Sequence, residues 1–373
     1  MVTGHAYPWD VLGDPAFPDR ATGAVTLAAT YHSTRAATPL HPQHQIVEAR
    51  YAALYRPVRD EAWKGHDLRP LAPDWLDEPD PFGTAAAILK AAGRRVNAWI
   101  VLTHNTRLGR SRPDVTVVNC FGEPYPYALC PAHAEVRDYA ATLAAEAVRD
   151  VDVDGVSLEG CGQMGVNHLG HHEKTEGAWT PRAATLLSIC CCAACRAAWS
   201  RDGLQPAEVV AALRESVQNP AASPAEDVLS ALLAVRHRHT DALRAQVLAG
   251  LPTCHTQNGE KRGVPITLHA HPDPWVTGPS PGLTPTAEDD VDALLVPSWP
   301  TTEATADLVR QAATTGLPID AYVTLLAPTD PDALIPHVQR LKAAGASRFS
   351  LYHLGLAPRW RQELFATIAD AVR

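Results

Sequence analysis

The chain of 373 residues contains no apolar run approaching the roughly 18 residues that a membrane helix requires. Its N-terminus, "MVTGHAYPWDVLG", shows no basic stretch followed by an apolar core, so neither a secretory leader nor a membrane anchor is expected. Lysine is scarce, five residues in all, and the basic side chains are scattered rather than grouped. With a formal net charge of −9 that distribution argues against a nucleic-acid partner, because no basic patch faces a phosphate backbone. No G-x-G-x-x-G follows the first apolar run, which counts against a dinucleotide-binding doubly wound sheet. "HHEK" does not match H-E-x-x-H, so a zincin is excluded.

What is present is ordinary globular composition, with enough apolar residues to bury a large core without disulfide staples. Four of the eight cysteines crowd into Cys190 to Cys195, where adjacent thiols make poor disulfide partners. A soluble protein of a reducing cytoplasm is expected. The preference for arginine and alanine fits a GC-rich bacterial genome. Nothing in the composition decides whether the chain forms a homo-oligomer.

Eight short apolar runs recur along the chain: "AVTLAATYH", "ARYAALYRP", "RVNAWIVLTHN", "VDGVSLEG", "VPITLHAHPD", "DALLVPSW", "PIDAYVTLL" and "SRFSLYHLG". They are too short for helices and too continuously apolar for half-exposed strands, so they read as parallel strands covered on both faces. Helical patterns such as "FGTAAAILKAAG", "HAEVRDYAATLAAEAVRD" and "DPDALIPHVQRLKAAG" lie between them, several opening at Asp, Thr or Pro and closing at Gly. Strand then helix, repeated eight times, predicts a (β/α)₈ TIM barrel forming a single domain over 1–373. One connection is far too long: residues 160–263 carry helical patterns near 183–200, 206–217 and 224–248. They are expected to form an elaborated insertion after the fourth strand.

In such a barrel the site lies at the C-terminal ends of the strands. The runs end in Tyr31 and His32, Tyr55 and Arg56, His104 and Asn105, Glu159, His269 and His271 with Asp273, Ser298 and Trp299, Thr324, and Tyr352 with His353. Aromatic faces beside hydrogen-bonding groups suit a sugar ring, which makes a small carbohydrate or glycoside the expected partner. Glu159 is the foremost candidate, since a carboxyl at the end of a buried strand is raised in pKa and can serve as a general acid. Just beyond it, His168, His171, His172, Glu173 and Lys174 crowd one loop, which is expected to fold over the mouth and bind substrate.

"LCPAHAEVRDYAATLAAEAVRDVDVDGVSLEG" and "GASRFSLYHLG" resemble the barrels of bacterial glycoside-hydrolase-like proteins related to clan A. The resemblance implies hydrolysis of a glycoside, with Glu159 in the position of the acid/base glutamate at the end of strand four. It also implies a nucleophilic glutamate at the end of strand seven, where "DAYVTLLAP" has no carboxylate. A second carboxylate must then come from elsewhere: Asp273 is preferred because it follows its strand directly, ahead of Glu173 and Glu123. Substrate assistance is an alternative. The segment Cys190-x-Cys192-x-x-Cys195 is similar to a motif after strand four of family 42 β-galactosidases. With Cys130 in the place of that family's upstream cysteine, it implies a structural Zn²⁺, with Cys161 and Cys254 in reserve. No organic cofactor is expected. Two other classes of function are kept: a metal-dependent isomerase or aldolase using Glu159, His104, His269 and His271, and a non-hydrolytic carbohydrate-binding barrel.

Overall fold

The computed structural model describes residues 1–21, 23–168, 173–255 and 261–372, leaving aside the side chains of 254, 255, 261 and 262. Eight strands form one ring: β1 Val2–Ala6, β2 Ala24–Tyr31, β3 Val96–Val101, β4 Gly155–Glu159, β5 Ile266–His269, β6 Ala293–Pro297, β7 Ile319–Thr324 and β8 Ala346–Tyr352. Each pairs in parallel with the next, and β1 pairs with both β2 and β8. The ring therefore closes and leaves no open edge in its parallel ladder.

The helices of seven or more residues are α1 Pro81–Ala91, α2 Ala134–Val148, α3 Pro181–Leu187, α4 Ala193–Arg201, α5 Pro206–Gln218, α6 Glu226–Gly250, α7 Glu303–Ala313, α8 Pro331–Ala343 and α9 Arg359–Ala371. α1 begins where expected, with Asp80 accepting from the Gly83 amide at 3.0 Å and Pro81 in the first turn. Outward-facing Leu294, Val296, Val323 and Leu351 join Val309, Leu334, Val338 and Phe365 of the flanking helices in one apolar core. Inside the ring the chemistry changes: Asp320 accepts from Ser350 at 3.0 Å, and Ser157 lies 2.9 Å from His269 Nε2. Helices α3 to α6 lie between β4 and β5. Most of them contribute to a second apolar cluster, where Leu187, Trp199, Leu213, Leu232 and Val235 pack with the hairpin Thr116–Val118/Pro124–Leu129.

Two strand assignments are corrected. The first strand is "VTGHA", not "AVTLAATYH", which is the second. The run "ARYAALYRP" contributes only Ala53–Leu54, antiparallel to the end of β2, and is no part of the closed ring. Its Tyr55 is buried, and Arg56 pairs with Asp80 at 2.7 Å while donating to the Arg149 carbonyl. The run was apolar because it packs against the barrel and not because it belongs to it. From "RVNAWIVLTHN" onward the numbering of strands is unchanged.

Candidate active site

The carboxyl of Glu159 sits at the C-terminal end of β4. Gly160, with φ +63°, turns the chain out of the barrel there, a conformation that favours glycine. Thr103 fixes the turn by donating to the Gly160 carbonyl at 2.8 Å. Glu159 is 5% exposed and accepts from the indole Nε1 of Trp99 on β3 at 2.8 Å. His269, from β5, brings Nδ1 within 3.7 Å of the same oxygen. Burial pushes the Glu159 carboxyl up to about 7, against the opposing pull of the Trp99 hydrogen bond. No other carboxylate contributes to that shift.

The surroundings of Glu159 are rings that stay neutral. His269 and His353 are pushed down to about 3 by burial, and His32 to about 4. Burial raises the hydroxyls of Tyr7, Tyr31 and Tyr322 above their ordinary range, so they remain donors. Tyr31 packs its ring 4.7 Å from Trp99 and 4.1 Å from His32, and Trp299 stands 5.2 Å from Tyr352. A carboxyl that titrates near neutrality, imidazoles without charge and phenolic hydroxyls can exchange protons and hydrogen-bond a neutral ligand.

No family model and no curated protein sequence matches the chain. Solved structures do. An α-L-fucosidase isoenzyme from Paenibacillus thiaminolyticus superposes with TM-score 0.59 at 15% identity, over 99% of this chain and 49% of that one. The catalytic domain of a β-amylase from Paenibacillus polymyxa gives 0.58 at 13%, over 100% and 98%. A catalytic mutant of a GH42 β-galactosidase from G. stearothermophilus gives 0.53 at 12%, over 100% and 56%. The chain spans about half the length of the fucosidase and the galactosidase. The likeness is one of fold. It is a fold shared with glycoside hydrolases.

Of the residues expected from the sequence, Tyr31, Glu159, His269, Trp299, Tyr352 and His353 are brought together at the mouth. His32 stacks on His104 at 4.3 Å, and His104 Nε2 meets His168 Nε2 at 3.1 Å. Glu173 stands 3.5 Å from the other ring nitrogen of His168, and Lys174 is exposed. His171 and His172 lie outside the described residues. Asn105 is spent elsewhere: its side chain caps the helix Thr106–Ser111, accepting from Leu108 N at 3.0 Å, and donates to Tyr139. Asp273 is exposed, accepting from Trp275 N at 2.9 Å, and its charge bears on Arg236 of α6. His271 Nδ1 accepts from the Asp273 amide. Among the described residues Glu159, His104, His269 and His271 form no group of convergent metal ligands.

Sequence reasoning missed His5, Tyr7 and Asp10, because it missed the strand that leads to them. Asp10 is a second buried carboxyl, raised to about 7 by burial, accepting from Tyr7 N and lying 3.9 Å from His353. Trp99 was missed because it lies inside an apolar run. Only the inward phase of that strand marks it.

The cysteines converge. Sulfurs of Cys130, Cys190, Cys192 and Cys195 all lie within 4.8 Å of one another, and all four residues are buried. Cys130 Sγ is 3.6, 3.8 and 3.7 Å from those of Cys190, Cys192 and Cys195. A tetrahedron with zinc–sulfur bonds of ~2.3 Å has edges of about 3.8 Å, so the donor set and its spacing fit a metal ion. Cys161 lies instead in the barrel core, and the side chain of Cys254 is outside the described residues.

Proposed function

We propose that the protein hydrolyses a glycoside, with Glu159 as general acid and then general base. The observation that carries this reading is a carboxyl at the end of β4, buried against Trp99 and titrating near neutrality. As the anomeric carbon–oxygen bond breaks, the Glu159 proton passes to the leaving oxygen. Water then adds to the anomeric carbon and returns its proton to the carboxylate. The neutral rings exclude bulk water and hydrogen-bond sugar hydroxyls.

Asp273, the expected second carboxylate, is exposed with its charge bearing on Arg236, and Asp10 lies 3.9 Å from His353. That supports a mechanism with one protein carboxyl at the reaction centre, and it also favours a second reading, a carbohydrate-binding barrel without turnover. Aryl glycosides of several sugars decide between them. Hydrolysis by the wild type, reduced roughly 10²–10⁴-fold in Glu159→Gln, is expected for general acid–base catalysis. The loss should be smaller with a better leaving group. Full activity in the variant overturns the role of Glu159, and sugar binding without hydrolysis by the wild type establishes the second reading.

On the same reading 160–263 elaborates one barrel domain. Cys130, Cys190, Cys192 and Cys195 would hold a structural Zn²⁺, whose contribution is to folding and not to chemistry. Free thiols at all seven described cysteines suit a reducing cytoplasm.

A further inference from the structure

Only three of the nine tryptophans are exposed: Trp179, Trp299 and Trp360, at 38%, 41% and 65%. All three follow the C-terminal ends of barrel strands, Trp179 after β4, Trp299 after β6 and Trp360 after β8. Exposed aromatic surface confined to one end of a barrel marks a binding surface.

Two of these tryptophans line separate clefts. One cleft, of about 420 Å³, runs between Tyr7, Arg35, Tyr352 and Trp360. The other, of about 450 Å³, is walled by Phe121, Tyr125, Tyr127, Glu173 and Trp179. Around the ring the first belongs to the β8–β1–β2 sector and the second to β3 and β4. These sectors adjoin through the β2–β3 pairing, so the two clefts border neighbouring arcs of the mouth. Ring contacts link the two, with Tyr7 and Tyr31 buried: Tyr7 to Tyr31 at 4.9 Å, Tyr31 to His32 at 4.1 Å and His32 to His104 at 4.3 Å. They continue from His104 to His168 at 5.1 Å, and from His168 to Tyr127 at 3.9 Å. Trp99, which holds Glu159, packs against the Tyr31 step.

We infer that the substrate is an oligosaccharide lying across the mouth, with sugar units in both clefts and the bond to be broken over Glu159. A sugar chain is the occupant that fits, because each cleft offers an exposed indole face beside polar side chains, and the ring contacts that link them pass Trp99, the hydrogen-bond partner of Glu159. A monosaccharide glycoside would need neither outer cleft. The action is then at internal bonds of a chain. This inference rests on the hydrolase reading, and the experiment separates the two.

Full-length Glu159→Gln protein is titrated calorimetrically with β-1,4-glucan, β-1,4-galactan, β-1,4-mannan and β-1,4-linked glucosamine oligomers, each of two and six units. The hexasaccharide of at least one series should bind at least tenfold more tightly than its disaccharide. Adding Trp179→Ala or Trp360→Ala should each weaken hexasaccharide binding about tenfold, the scale of one lost stacking face, and leave the disaccharide unchanged. Equal affinity for both lengths, binding of no hexasaccharide, or an effect of only one tryptophan would overturn the inference. Aryl glycoside turnover lost in Glu159→Gln without length dependence would leave the general-acid reading standing and remove this one. Length-dependent binding with undiminished turnover in that variant would do the reverse.

Discussion

Glu159→Gln tests the physical basis of the site without any substrate. In the folded protein the carboxyl titrates at about 7, against 4.5 for an ordinary glutamate, because burial disfavours the charged form. A raised folded pKa means that the native state keeps a proton the unfolded chain has already released. Its stability contribution is therefore fully present below pH 4.5 and is lost as pH rises through 7. The amide cannot ionise, so the variant escapes that loss. It keeps the shape and an acceptor for Trp99, and at 3.7 Å the His269 nitrogen makes no short hydrogen bond to forfeit. From the two pKa values, linkage gives the wild type an ionisation cost of roughly 1 kcal/mol at pH 5 and roughly 3 kcal/mol at pH 8.5. The stability of Glu159→Gln relative to the wild type should thus rise by roughly 2–3 kcal/mol between these conditions. Urea unfolding at both pH values, with the metal content held equal, measures it. A difference that stays flat with pH would show that Glu159 titrates like a solvated carboxylate and is no poised acid. A variant less stable than the wild type at pH 8.5 would show that the charged form is held by a partner.

The metal site predicts one tightly bound zinc per chain in protein prepared without chelator, and less than a tenth of an equivalent would refute it. Cys192→Ser should lose the ion and lower Tm by roughly 10 °C, since structural zinc contributes folding free energy of several kcal/mol. Asn105→Ala should cost about 1 kcal/mol through loss of the cap on Thr106–Ser111, with kcat/KM unchanged. A changed kcat/KM with unchanged stability would return Asn105 to the binding surface.

The barrel was legible because strands covered on both faces are largely apolar, and seven of the eight runs are strands of the ring. The first strand was not. Its inward residues Thr3 and His5 are polar, and between them Gly4 leaves room for Leu354, whose side chain would lie 2.3 Å from an added Cβ. Close packing there removed the apolar signal by which a strand is recognised. The converse error, the run around Tyr55, arose because a loop packed on the barrel is as apolar as a strand within it. Glu159 could be read because a carboxylate interrupts an apolar run. Trp99 could not, because an indole in such a run looks like core until its nitrogen is seen to donate to that carboxylate. Asp273 was preferred for its place in the sequence, but the turn through His271 and Trp275 carries it outward.

The cysteine site and the distal cleft are one construction. Cys130 closes the segment after β3 that carries Tyr125 and Tyr127, while Cys190, Cys192 and Cys195 belong to the long excursion that carries His168, Glu173 and Trp179. The two segments are joined by the second apolar cluster and by hydrogen bonds from Tyr125 to the Leu187 carbonyl at 2.9 Å, from Tyr127 to the Gly165 carbonyl at 2.7 Å and from Cys191 N to the Val118 carbonyl at 2.6 Å. A metal ion held by the four cysteines would add a further tie between them. Loss of the ion should accordingly act on the binding of long chains before it acts on proton transfer.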